Sequence, residues 1–332
     1  MNQSLFYNPI GNGEAYGNFI EQEMVARRKD IDNQDKHYIK KWLIAATDES
    51  YAYFEESQGI NYYKFLDKVA DMVIEEPQEI YNNLKNIQNM IGYKSGACVV
   101  YAGDEKSIKK NNKASKKFFE HLWEGEKKVA DFSYLKKEYA DTALVVSADM
   151  KINGLYAPFD VLGSEYSGKS NVIAKYVQDK LLIPNIRDKN NAYWAAVVCN
   201  EFGVELYSYR DPEVQKTFDV YAKIADNIAD AKITQQEIDN YILTAYSEYI
   251  MPEGELEDAY YFALEYMNGT TYEDHIKYLR EIKSTTVEDV KNSAPMFEKL
   301  WTDGIKFTSG NAQTIAENAD LYDVVLNPFN YE

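Results

Sequence analysis

One pattern occurs twice in this chain and limits what the chain can fold into. GACVVYAGDEKSI (96–108) and GIKFTSGNAQTI (304–315) each read as an apolar strand closed by glycine, then an Asx helix cap, then isoleucine four residues after the cap. Each follows a helical stretch, YNNLKNIQNMI before the first and VKNSAPMFEKLW before the second. Gly103 and Gly310 stand 207 residues apart. Self-similarity at that offset implies two related α+β domains. The two copies are unequal. The second has 168 residues between Thr142 and Gly310, whereas the first has 102 before Gly103. The first therefore lacks roughly 65 residues of opening strands and crossover helix. A lone strand makes no sheet, so the first copy borrows strands from elsewhere or the chain is part of a longer polypeptide. The expected division is a partial, mostly helical α+β unit with one or few strands over 1–127, a charged linker over 128–141, and a complete α+β unit over 142–332.

Charge narrows the function classes. The 332 residues carry 54 Asp+Glu against 36 Lys+Arg, a net charge of −18. That balance argues against nonspecific nucleic-acid binding and against a basic membrane-surface patch. No run approaches the ~18 apolar residues of a membrane span. The opening MNQSLFYNPIGNGEAYG lacks a basic stretch followed by an apolar one, so a cytoplasmic protein is expected. Cys98 and Cys199 are too few for a disulfide framework.

The patterning predicts helices over 16–50 and 60–91, the latter broken at Pro77. A buried strand at 95–103 and a helix at 104–123 capped by Asp104 follow. Further on come a strand at 142–152, a helix at 166–183, and strands at 192–201 and 204–211 joined by a Phe-Gly turn. Helices are expected at 212–230, 234–249, 255–267, 271–283 and 286–301, with Thr285 and Glu288 as a capping box before the last. The chain closes with a strand over 304–310, a helix, and a strand in VVLNPF.

Autonomous hydrolase chemistry is not encoded in these residues. His37, His121 and His275 fit neither H-E-x-x-H nor H-x-x-E-H, in which two imidazoles one helical turn apart share a zinc. There is no G-x-S-x-G, and neither cysteine lies in a C-x-x-C. No catalytic residue, metal ligand or cofactor is assigned to this chain. Gly163–Ser170 matches the phosphate-loop pattern, with Lys169 as its lysine. The preceding GLYAPFDVL is a poor strand, with Gly154 and Pro158, and no later strand supplies a magnesium-binding Asp. Arg187 and Tyr193 stand where a helix meets an inner-looking strand. A guanidinium fork and a phenol there could hold a peptide carbonyl or a developing oxyanion, or be an ordinary surface pair. The 192–211 hairpin offers an edge for strand addition.

Several stretches together resemble one family. They are YSGKSNVIAKYVQDKLLIPNIRDKNNAY (166–193), ELYSYRDPEVQKTFDVY (205–221), YMNGTTYEDHIKYLREIKSTTVEDVKNSA (266–294) and GIKFTSGN (304–311). They resemble the C-terminal half of the M16 (pitrilysin/insulinase) zinc metallopeptidases, in the presequence protease and falcilysin-like subgroup. GINYYKFLDKVADMV (59–73) and ACVVYAGDEKSIKK (97–110) are similar to the end of that family's third domain, and 142–332 to its fourth. The resemblance implies a mixed or antiparallel sheet packed against helices in each domain. It also implies a missing N-terminal half that holds zinc through H-x-x-E-H and closes with this half around an unfolded peptide. The family's Arg-x5-Tyr pair falls on Arg187 and Tyr193 as substrate-binding and oxyanion-assisting residues. Where the family has a glycine pair and a small residue, this chain has Asn190-Asn191 and Trp194. Asn tolerates a left-handed backbone, so the turn is expected to survive, while Trp194 alters access. The expected partners are the zinc-bearing half and unfolded peptide, with no nucleic acid and no membrane. The alternatives are a stand-alone inactive peptide-binding scaffold and a nucleotide-binding protein acting through Gly163–Ser170.

Overall fold

The computed structural model describes residues 13–33, 36–91, 93–101, 103–126, 135, 139–252 and 254–331. The expected linker lies mostly outside them. The first elements are helices: α1 (Gly13–Asp32), α2 (Lys36–Ile44), α3 (Glu49–Gln58), α4 (Ile60–Glu75), α5 (Pro77–Ile91) and α6 (Glu105–Phe119). Pro77 opens α5, where its missing N–H costs nothing. Asp104 caps α6, its Oδ1 accepting from the Lys106 and Ser107 amides at 3.0 Å.

The strand expected at 95–103 does not form. Lys94–Gly96 is a 3-10 turn, residues 97–101 have no regular structure, and Val99 and Val100 are 40% and 50% exposed. No strand among the described residues pairs with this stretch, and an unpaired strand leaves its backbone groups without partners.

Strands gather in the second half. They are β1 (Thr142–Val145), β2 (Lys151–Ala157), β3 (Trp194–Asn200), β4 (Gly203–Asp211), β5 (Ile305–Gly310) and β6 (Val324–Leu326). They form one sheet in the order β3-β4-β2-β5-β1-β6. β1 runs parallel to β5 and β6, and the other pairs are antiparallel, so the sheet is mixed. The strand expected over 142–152 is two strands separated by a polar SADM connection. The unpromising GLYA stretch lies in β2, next to the middle of the sheet. Gly154 suits that place, because a Cβ there would press on Leu43 Cδ1 at 3.1 Å.

The other helices are α7 (Phe159–Leu162), α8 (Gly168–Val177), a π-helical run over Gln178–Lys189, α9 (Gln215–Tyr221), α10 (Ile224–Asp230), α11 (Gln235–Ile250), α12 (Glu255–Asn268), α13 (Tyr272–Lys283), α14 (Val287–Asn292), α15 (Ala294–Asp303) and α16 (Ala312–Glu317). One sheet face carries Leu155, Val197 and Leu206 into a core with Val172, Phe218 and Leu300. Ile152, Tyr156 and Phe307 line the opposite face beneath Trp42 and Leu43 of α2. The Trp42 and Phe307 rings are 4.9 Å apart. The molecule is thus α+β, with a mixed sheet packed on helices.

Two compact units emerge, one of 1–26, 63–131 and 252–271, the other of 27–62, 132–251 and 272–332. This grouping crosses the expected boundaries, because 27–62 packs with the sheet. The cause is the apolar face of α2, which covers Ile152 and Phe307.

Candidate functional site

The π-helical run places the first candidate residue. Pro184 inside it has no N–H to donate, and Asn185 Nδ2 donates to the Leu181 carbonyl at 2.8 Å. π-helical segments are rare and recur at functional sites. Leu182 and Ile186 are buried and anchor the run, leaving Arg187 exposed. The run closes on Asn191, whose φ of 64° is left-handed. The Asn191 amide donates to the Arg187 carbonyl at 3.0 Å and the Ala192 amide to Ile186 at 3.1 Å. This is how a helix satisfies its last carbonyls through a left-handed residue, so asparagine makes the turn here.

Tyr193 and Trp194 follow at once. The Tyr193 amide donates to the carbonyls of Tyr209 (3.1 Å) and Arg210 (3.3 Å). Its ring is 66% exposed and meets Tyr209 edge-on at 6.1 Å. Arg187 Cζ lies 5.5 Å from the Trp194 ring, so Trp194 is a half-buried platform for the guanidinium. β3 is an edge strand, as the hairpin reading requires.

The structure adds Arg210, which sequence reasoning did not single out. Its Cζ lies 5.9 Å from the Tyr193 ring and 5.5 Å from Tyr209. The β2–β4 register pairs Lys151 with Asp211 and Ile152 with Tyr209, so Arg210 is the extra residue of a bulge. Its φ is 48°, uncommon for a residue with a Cβ. The next residue pins it. Asp211 is fully buried, its Oδ2 accepting from Asn153 Nδ2 (3.1 Å) and Thr217 Oγ1 (2.6 Å), its Oδ1 from the Glu213 amide (2.9 Å). Burial pushes the Asp211 carboxyl up, against hydrogen bonds from Ser208, Thr217, Glu213 and Asn153 that hold it down. The only signal in sequence was an arginine ending the alternating Tyr207-Ser-Tyr-Arg210 stretch. A bulge could not be read from it.

The local geometry weighs against the phosphate-loop reading. Gly163 ends α7 at φ 64°. Ser167 caps α8 reciprocally with Ser170. The Gly168 amide donates to Glu281 Oε2 at 2.9 Å, and Lys169 Nζ reaches Asp289 at 2.7 Å. Carboxylates thus hold the Gly168 amide and the Lys169 ammonium, two of the groups a phosphate would use. The two histidines whose side chains are described have other partners. His121 Nδ1 contacts the Lys117 carbonyl and His275 Nδ1 the Tyr249 hydroxyl. The His37 side chain lies outside the described residues. Among the described residues no three His, Cys, Asp or Glu side chains converge as metal ligands.

The comparisons agree with the motifs. Residues 143–307 match the family described as PreP C-terminal domain. Protein HypA of Clostridium perfringens (strain 13 / Type A) is 26% identical over 304 residues, 88% of this chain and 30% of that protein. "Presequence protease 1, chloroplastic/mitochondrial" of Arabidopsis thaliana is 24% identical over 276 residues, 79% of this chain and 24% of that protein. The chain thus spans less than a third of either relative. The first half of the periplasmic protease PqqL from Escherichia coli aligns with TM-score 0.48 and 11% identity, over 96% of this chain and 72% of that one. Pitrilysin aligns at TM-score 0.41 and 11% identity, over 86% and 40%.

Proposed function

We propose that this chain, which carries a presequence-protease-like M16 C-terminal domain, encloses unfolded peptide and positions it for hydrolysis by a zinc-bearing N-terminal half. That half lies in the same polypeptide or in a partner subunit, and the setting is cytoplasmic. The observation that carries the reading is that an exposed guanidinium and an exposed phenol flank the Asn191 turn leading into edge strand β3, Arg187 against Trp194 and Tyr193 against Tyr209. A peptide laid along β3 gains backbone hydrogen bonds without any sequence requirement. Arg187, steadied on Trp194, donates to peptide carbonyls. The Tyr193 hydroxyl donates to the oxyanion that develops when water attacks the scissile carbonyl. Zinc bound by the N-terminal half would supply the activated water.

The test is a titration of a labelled unfolded peptide with this chain, followed by fluorescence anisotropy. Arg187→Ala should weaken binding about tenfold, the loss expected for a charge-assisted hydrogen bond. Tyr193→Phe should leave binding nearly unchanged and slow cleavage by the complete enzyme. Unaltered binding and turnover in both variants would sink the reading. A chain that binds peptide yet yields no cleavage with any zinc-bearing half would be a scaffold.

A further inference from the structure

We propose that Arg210 is a carboxylate-recognition residue, which makes this site select peptides that present a free carboxylate beside the β3 edge. The inference rests on the peptide-binding reading of Arg187 and Tyr193 and adds a chemical preference to it.

Three independent features converge on Arg210. First, it is the extra residue of a bulge, and bulges re-aim one side chain out of the strand's alternation. Second, its φ of 48° is held by the buried Asp211 next to it and by the Tyr193 amide on its own carbonyl. Strain of this kind persists where the surroundings over-determine it, and it collects at ligand-binding positions. Third, the guanidinium lies beside Tyr193 and Tyr209 and has no carboxylate partner among the described residues. In a chain with 54 acidic side chains and a net charge of −18, an exposed arginine left without one is informative. The rings orient the fork, and its donors are left for a ligand. A planar fork matches a carboxylate with two parallel N–H···O bonds. The carboxylate has two sources in a peptide, the C-terminus or an Asp or Glu side chain.

The test uses this chain and labelled unfolded peptides of one sequence in three forms. They are the free C-terminal acid, the C-terminal amide, and a form with its internal Glu changed to Gln. The bulk field of the protein repels the acid forms, so a preference for them requires a local cation. We expect one acid form to bind roughly fivefold or more tightly than its neutral counterpart. The pair that shows the difference identifies the source. Arg210→Gln should erase the difference while neutral-peptide binding stays. Arg210→Gly, which accepts the left-handed backbone, should erase it too and so separates loss of the guanidinium from loss of the bulge. Equal binding of all three peptides, or a difference that survives in both variants, would overturn the inference alone. Failure to bind any peptide would overturn the peptide-binding reading as well.

Discussion

The carboxyl of Glu205 shows what lies beyond the reach of pattern reading at a single position. It alternates with Val204 and Leu206 in a strand that reads as half-buried, and such a place normally faces water. The α2 helix covers that face instead, and Glu205 is 5% exposed with Oε2 unpartnered. Burial pushes its carboxyl from the ordinary 4.5 up to about 7, with Lys40 pulling the other way. The native state therefore keeps a proton that the unfolded chain has already released. Stability from this group is present below about pH 4.5 and is lost as pH rises through about 7, up to about 3 kcal/mol. Glu205→Gln should remove that part of the slope and be the more stable protein at pH 8. Urea midpoints for both proteins at pH 5 and pH 8 measure it, and parallel pH profiles would contradict it. A family motif singles out Arg187 and Tyr193, and the structure places both exposed beside the turn that leads into β3. Arg210 is not singled out by any motif, because its placement depends on a register shift between residues about 60 apart in sequence.

Elements were legible where local rules act alone. The Pro77 break, the Asp104 cap and the Phe-Gly hairpin follow from φ restriction, side-chain capping and turn chemistry. Where two caps compete, the reading slips. Thr286 with Asp289 forms the box that begins α14, one residue beyond the expected Thr285 with Glu288, and Thr285 Oγ1 turns back to the Ile282 carbonyl at 2.9 Å. The repeat also misleads at this scale. Its second copy becomes β5 beside β1 and β2, whereas the first pairs with no strand among the described residues. The start of α8 looked like a phosphate cradle and is a packing contact. A Cβ on Gly168 would stand 2.3 Å from the Tyr278 carbonyl and 2.9 Å from the Ile282 nitrogen. Gly168→Ala should therefore push α8 off α13 and destabilise by about 2 kcal/mol. A thermal or chemical unfolding midpoint equal to that of the unaltered protein would show that the two helices separate without cost.

At the scale of the whole molecule, all six strands of the mixed sheet among the described residues lie in the second half, with β3 as an edge, while the described part of 1–127 is mostly helical. Mean composition could have suited many α+β proteins; the motifs spread along 166–311 pointed to one. None of the described helices is long and apolar enough to cross a membrane. The chain spans less than a third of the two relatives described above, and in the proposed reading peptide capture needs only the β3 edge, Arg187 and Tyr193. Hydrogen exchange of this chain with and without saturating unfolded peptide tests that claim most directly. Slowed exchange confined to the turn and hairpin over 187–211 is the expected result. Protection placed on other elements, or none at all at saturation, would contradict it.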